Sequence, residues 1–224
     1  MLSSARAKPP EQAPEQERSA MSVKVAVIYY SSTGNVHALA QAVREGAEKA
    51  DAEVRFRRVD ELAPDSAIDA NPAWRAHADA TKDVEPATHE DLKWADAYAF
   101  GTPVRFGDVA SQLKQFIDST GGLWYAGELS GKPFTGFTSA INMHGGNEAT
   151  LLSLYHVAFH WGSVIVPPGY NDPAVPAAYG NPYGASYPSG MDGEPPNERV
   201  LAAARFQGYN LATVTARLLN GARG

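Results

Sequence analysis

The chain has 224 residues, a formal net charge of −6, 44% hydrophobic residues and no cysteine. That length allows one large domain or two small ones, and the apolar share is near the globular average of ~45–50%. Without cysteine there are no disulfides, iron–sulfur clusters, thiolate zinc sites or catalytic thiols. The modest acidity gives no basic field for nucleic acid or anionic lipid, so the composition points to a soluble, cytoplasmic chain.

Residues 1–20 hold three prolines, three glutamates and no aromatic residue. Such a stretch cannot bury enough apolar surface to order itself and reads as a disordered tail. It lacks the apolar centre of a secretory signal, and no run approaches the ~18 apolar residues of a membrane span. A single domain is expected over residues 21–224.

Val23–Tyr30 is β-branched and aromatic, the pattern of a buried strand. Val36–Ala50 carries a helical stripe of Val36, Leu39, Ala40, Val43 and Ala47. Glu53–Val59 alternates like a half-buried strand. Leu62–Ala87 is long for a connection, with a short helix expected around Ala73–Ala80. Ala97–Gly101 reads as a third strand, Val109–Thr120 as a helix, Pro133–Ser139 as a fourth strand and Glu148–Trp161 as a helix. Val164–Val166 is the fifth strand, and Asn197–Asn220 a final helix with Asn197 as N-cap. Alternating strands and helices predict an α/β fold, an open five-stranded parallel sheet covered on both faces. Its active loops belong beyond the carboxyl ends of the strands. Between the fifth strand and the last helix, Pro167–Pro196 holds eight of the 16 prolines and four of the ten tyrosines. Aromatic residues argue against disorder, so this is expected to be an ordered loop packed on something, a second subunit included.

Three loops stand out. Ser31-Ser32-Thr33-Gly34-Asn35-Val36 places three hydroxyls and a glycine before a helix, whose free N–H groups and dipole suit a phosphate. The absence of Lys or Arg and of G-x-G-x-x-G argues against a nucleoside triphosphate or the dinucleotide fingerprint. A phosphate monoester remains, with an ordinary Ser-rich N-cap as the plain alternative. Gly101-Thr102-Pro103-Val104-Arg105-Phe106-Gly107 is a tight loop that projects one Arg and one Phe, or else a surface turn. Ser139-Ala140-Ile141-Asn142-Met143-His144-Gly145-Gly146-Asn147 lets backbone approach a ligand closely, or is a long helix lead-in. All three fall at one sheet edge.

Tyr29-Tyr30-Ser31-Ser32-Thr33-Gly34 resembles the phosphate loop of the flavodoxin-like superfamily. With Phe100–Gly107, Thr120-Gly121-Gly122-Leu123-Trp124, His160-Trp161-Gly162, Val164–Tyr170 and Asn181–Ala185, residues 23–220 resemble the WrbA-type NAD(P)H:quinone oxidoreductases. The resemblance implies a flavodoxin-like three-layer sandwich, FMN as cofactor, NADH or NADPH as co-substrate, a quinone substrate and a homotetramer. It implies that Ser31, Ser32, Thr33, Gly34, Asn35 and Val36 hold the ribityl phosphate. Thr102, Pro103, Val104, Arg105, Phe106 and Gly107 would border the isoalloxazine. Ser139, Ala140, Ile141, Asn142, Met143, His144 and Gly145 would flank its other edge, and His160 would contact it. Phe106, Trp124 and Tyr170 would shape the pocket over the exposed flavin face. Arg105 would stabilise negative charge on the reduced flavin or quinone oxygen, and His160 or Tyr170 would deliver a proton. Val36 stands where flavodoxins have a threonine.

His156 and His160 have the spacing of two zinc ligands, but no glutamate follows His156 and no carboxylate lies near; no metal is expected. His37, His77 and His89 read as surface residues, and Trp74 and Trp94 as core. Two further readings stay open: an electron-carrier flavodoxin without turnover, and a flavin-free regulatory or interaction protein on the same fold.

Overall fold

In the computed structural model, residues 22–221 are described; the tail expected at 1–20 lies outside them. The first strand, β1 (Lys24–Tyr29), is buried at five of six positions. Val25, Val27 and Tyr29 pack into one core, while Ala26, Ile28 and the following Tyr30 pack into another on the opposite face. A strand covered on both faces needs no polar alternation, which is why it reads as one apolar run.

Six more strands follow: β2 (Glu53–Arg58), β3 (Ala97–Arg105), β4 (Asp108–Val109), β5 (Pro133–Ala140), β6 (Val164–Ile165) and β7 (Ser186–Pro188). The main path runs β2-β1-β3-β5-β6, all parallel. This is the order expected of a flavodoxin-like sheet, and it puts the switch of chain direction between β1 and β3, where open α/β sheets bind ligands.

The helices are α1 (Asn35–Lys49), α2 (Asp65–Asp69), α3 (Pro72–Ala80), α4 (His89–Trp94), α5 (Ser111–Ser119), α6 (Gly121–Tyr125), α7 (Asn147–Trp161), α8 (Ala174–Ala177) and α9 (Glu198–Gly221). α1 and α9 cover one face; α4, α5 and α7 cover the other. The two helices of the first layer approach backbone to backbone. A Cβ on Gly46 would meet the Arg205 carbonyl oxygen at 1.8 Å, and one on Gly208 the Val43 oxygen at 1.9 Å. Asn197 caps α9 as expected, its side chain accepting from the backbone N–H of Arg199 and Val200.

The segment 62–87 holds two helices rather than one. Asn71 caps α3, and Arg75 ties α3 to Asp65 and Asp69. Trp74 and Trp94 are half-buried rather than core. Trp74 Nε1 donates to Glu61 at 3.1 Å, and Trp94 packs at the rim with the Arg55 guanidinium 4.3 Å from its ring.

Pro167–Pro196 is ordered, and it completes the sheet. β6 pairs only with Pro133 and Phe134 of β5, whereas β7 pairs with Thr138, Ser139 and Ala140. The fifth strand position is thus filled by two pieces with a gap between them. Gln207 of α9 fills the gap. Its amide donates to Gly136 O at 2.6 Å and Thr135 Oγ1 at 2.7 Å, and its oxygen accepts from Ala185 N at 2.7 Å. Tyr155 hydroxyl, from the opposite layer, accepts from Gly136 N and donates to Tyr183 O. Gly184 is required here, since a Cβ would lie 2.1 Å from Gly136 O.

Candidate functional site

Beyond β1 the chain turns at Gly34, whose φ of 104° only glycine adopts without strain. Gly34 N donates to Ser31 Oγ at 3.1 Å, closing the loop. No side chain caps α1, so its first N–H groups, at the positive end of the helix, are free for an anion.

β3 runs further than its sequence predicts. It continues through Arg105 and turns back into β4 at Phe106 (φ 53°) and Gly107 (φ 82°). Two successive positive φ values are the signature of a tight hairpin. Phe106 is fully exposed at the tip. Arg105 Nη2 reaches across to donate to Ser32 Oγ at 3.1 Å. Thr102 is fully buried and structural in its contacts: its hydroxyl accepts from Ala110 N, and its carbonyl accepts from Thr138 Oγ1 at 2.6 Å.

Beyond β5, Ser139 Oγ donates to Tyr187 O at 2.9 Å, and Ser189 N donates to Ala140 O at 2.8 Å. The long Pro/Tyr loop therefore braces this edge. A Cβ on Gly146 would lie 2.8 Å from Gly107 Cα, so the third loop rests on the hairpin glycine to glycine.

These loops enclose a cavity of about 130 Å³. Ser31, Ser32, Thr33, Asn35 and Val36 line it from the first loop, Pro103, Val104 and Arg105 from the second, and Ser139, Ala140, Ile141 and Ser189 from the third side. Gly34, Thr102, Phe106, Gly107, Asn142, Met143, His144 and Gly145 stand outside this lining. Ser189 had no signal in the sequence; only the pairing of β7 brings it in.

Trp124 and His160 are elsewhere. They line a second cavity, of about 480 Å³, with His156, Thr120 and Lys114. Trp124 Nε1 donates to the His160 carbonyl at 2.7 Å. Asn147 begins α7 directly after Gly146, which packs on the hairpin at Gly107, and His160 lies 13 residues on, about 20 Å along the axis at 1.5 Å per residue. Tyr170 is exposed, its hydroxyl donating to Gly180 O. Among the described residues no group of three or more His, Asp or Glu is arranged to hold a metal.

His37 and His77 are half-buried, not surface residues. His37 Nδ1 and the Tyr29 hydroxyl are 2.6 Å apart, and burial, with His77 and Arg44 nearby, brings His37 down to about 4. Glu61 accepts from Tyr30, Trp74 and Gln112 side chains and from two backbone N–H groups. Burial would raise its pKa, but these bonds win and hold it below the usual carboxylate range.

The residues of the first cavity suit FMN. Uncommitted helix N–H groups and serine and threonine hydroxyls are the donor set a phosphate monoester needs.

A family model for NADPH-dependent FMN reductases matches residues 23–174. The NAD(P)H dehydrogenase (quinone) of Deinococcus radiodurans is 47% identical over 197 residues, covering 88% of this chain and 98% of the relative. Its namesake in Geotalea uraniireducens is 43% identical over 205 residues, covering 88% and 99%. The flavodoxin, WrbA-like protein from Agrobacterium tumefaciens superposes with a TM-score of 0.60 at 25% identity, covering 88% of this chain and 99% of that one. The chain belongs to the NADPH-dependent FMN reductase family.

Proposed function

We propose that this protein catalyses the FMN-dependent two-electron reduction of quinones by NAD(P)H. The balance is quinone + NAD(P)H + H⁺ giving hydroquinone + NAD(P)⁺. The observation that carries this reading is the gathering of three loops with uncommitted phosphate donors at the switch point of a flavodoxin-like sheet. The family and the quinone-reducing relatives support it. When bound, FMN would supply a two-electron hydride relay between nicotinamide and quinone, in a ping-pong cycle.

The chain's own residues bind and orient. Ser31, Ser32, Thr33 and the first N–H groups of α1 hold the phosphate. Pro103 and Val104 give one wall, and Ser139, Ala140 and Ile141 the other, with Phe106 at the hairpin tip. Arg105, the one cation lining the cavity among the described residues, offsets negative charge that develops there.

Trp124 and His160 act on the flavin of a neighbouring copy in a homotetramer. Their separation from the first cavity within one chain supports this, as do the exposed rings of Phe106, Trp124, Tyr125, Phe159 and Tyr170. We also assign the protein to the cytoplasm on composition alone; separately, no described helix is long and apolar enough to cross a membrane.

The test is a flavin absorbance band on the purified protein, with NADH and NADPH oxidation followed with and without added benzoquinone. Quinone-dependent turnover is expected. A yellow protein without turnover makes it an electron carrier, and a protein that binds no FMN overturns the reading. Light scattering that gives a mass other than four times 23.9 kDa refutes the tetramer.

A further inference from the structure

Behind the phosphate loop stands a histidine pair that quinone reduction leaves unused. His37 lies in the first turn of α1, the turn whose free N–H groups face the cavity. His77 comes from α3 and rests against the loop itself: a Cβ on Gly34 would sit 3.6 Å from His77 Nδ1. The two rings meet edge to face, with centroids 5.3 Å apart. The Tyr29 hydroxyl engages His37 Nδ1, and Phe56 packs on the same ring. The His77 ring has no hydrogen-bond partner among the described residues, and it opens onto a cavity of about 210 Å³ that shares Ser31 with the cofactor cavity.

Two imidazoles in contact at the positive end of a helix are held neutral. Burial lowers both, and Arg44 adds to the effect on His37. The charged groups facing the pair are Arg44 on α1, Arg58 at the end of β2, Glu61 beyond it and Lys82 after α3. Glu61 is engaged by its five donors, and on α3 Arg75 pairs outward with Asp65, Asp69 and Asp79. Arg58 pairs with Asp60 and Arg44 with Glu48, so burial is what disfavours the imidazolium form of His77 while the loop is empty. The phosphate loop itself has no Lys or Arg. A bound phosphate monoester brings one to two negative charges to that helix terminus. An anion nearby favours the imidazolium form.

We infer that His77 takes up a proton when the FMN phosphate binds, so that this imidazole joins Arg105, which reaches the loop through Ser32, as a second cation at the phosphate. His37 stays neutral, its Nδ1 held by Tyr29 and its ring closed in by Phe56. Cofactor capture is then linked to pH: between the free and bound midpoints of His77, each unit of rising pH weakens FMN binding by up to about tenfold.

The inference rests on the phosphate-loop assignment, and the experiment separates the two. FMN and riboflavin affinities of the apoprotein are measured by flavin fluorescence from about pH 6.5 to about pH 8, for the wild type and His77→Gln. In parallel, the His77 ring is titrated by NMR in the apoprotein, with FMN and with riboflavin. FMN affinity should fall at least threefold per pH unit in the wild type and stay flat in His77→Gln. The His77 midpoint should move up with FMN and stay put with riboflavin. A flat wild type, a variant that keeps the slope, or a His77 midpoint indifferent to FMN overturns the inference. If FMN binds no better than riboflavin, the phosphate-loop assignment falls with it. If FMN is preferred and His77 does not move, the inference alone falls. The NMR readout needs no variant, so a poorly folded His77→Gln does not shelter it.

Discussion

Gln207 offers the sharpest test of how the sheet supports the site. In Gln207→Leu the volume is nearly kept, so a cavity contributes little, and what is lost is hydrogen bonding. The Ala185 N–H and the Gly136 carbonyl lose their partner in a region closed to water, since Gln207 is 1% exposed. Each stranded buried group costs ~1–3 kcal/mol, so the two together cost about 2–6 kcal/mol. Against a typical total of 5–15 kcal/mol that is a large loss. With a urea m-value of ~2–3 kcal/mol/M, the unfolding midpoint should fall by about 0.7–3 M. The assay is urea denaturation of apoprotein at fixed protein concentration, followed by circular dichroism. FMN affinity should fall as well, because Ser189, directly after β7, lines the cofactor cavity and bonds to Ala140. A loss below about 1 kcal/mol would refute the claim that this amide stands in for missing strand pairing.

Three further outcomes are expected. Ser31→Ala combined with Thr33→Ala should weaken FMN by ~1.5–3 kcal/mol per lost bond to the phosphate; equilibrium dialysis showing unchanged affinity counts against the loop. Trp124→Ala should lower quinone turnover while FMN retention and melting temperature stay near wild type, since the ring is 52% exposed; a variant that merely melts earlier makes Trp124 structural. Asp91 is buried, but hydrogen bonds from Thr88 and the charges of Arg57 and Arg55 outweigh that burial and hold its carboxyl low. Its stabilisation is complete above the unfolded value of ~3.9 and is lost as pH falls through the lower folded value. Asp91→Asn should therefore cost about 2–3 kcal/mol near neutrality and progressively less in acid, as urea titrations across pH would reveal.

The main strands and helices were legible because their signals are local: two-sided burial in Val23–Tyr30, the stripe of α1, the Asn197 cap. What escaped depends on distant partners. Gly-Thr-Pro reads as a turn, yet Thr102 and Pro103 are paired in register with Thr138 and Ser139, and the turn comes later, at Phe106-Gly107. β7 is three residues inside a Pro/Tyr/Gly stretch, and only its pairing with β5 makes it a strand. His37 lies in a helical pattern and His77 in a short helix with no fully buried residue. Nothing in spacing shows that Tyr29 and Phe56 close over one of them. The motif of Trp124 and His160 was equally visible, but a motif carries no information about which end of a helix faces which cavity.

That last point bears on how the site works. α7 runs from the cofactor edge to the opposite edge, so its glycine-led start and its His160 end belong to different cavities of one chain. The first cavity supplies hydroxyls, backbone N–H groups and one arginine, the donor set suited to a phosphate-bearing cofactor. The second supplies an indole and imidazoles, which suit the covering of a flat ring and the passage of a proton, beside Lys114, Thr120 and Ser153. In the proposed tetramer the two halves meet across subunits, so retention and turnover separate on dilution. Below the assembly concentration, FMN should remain bound to single chains while quinone reduction per flavin falls. Turnover per flavin independent of protein concentration, down to where the mass is that of one chain, would show that each chain closes its own site.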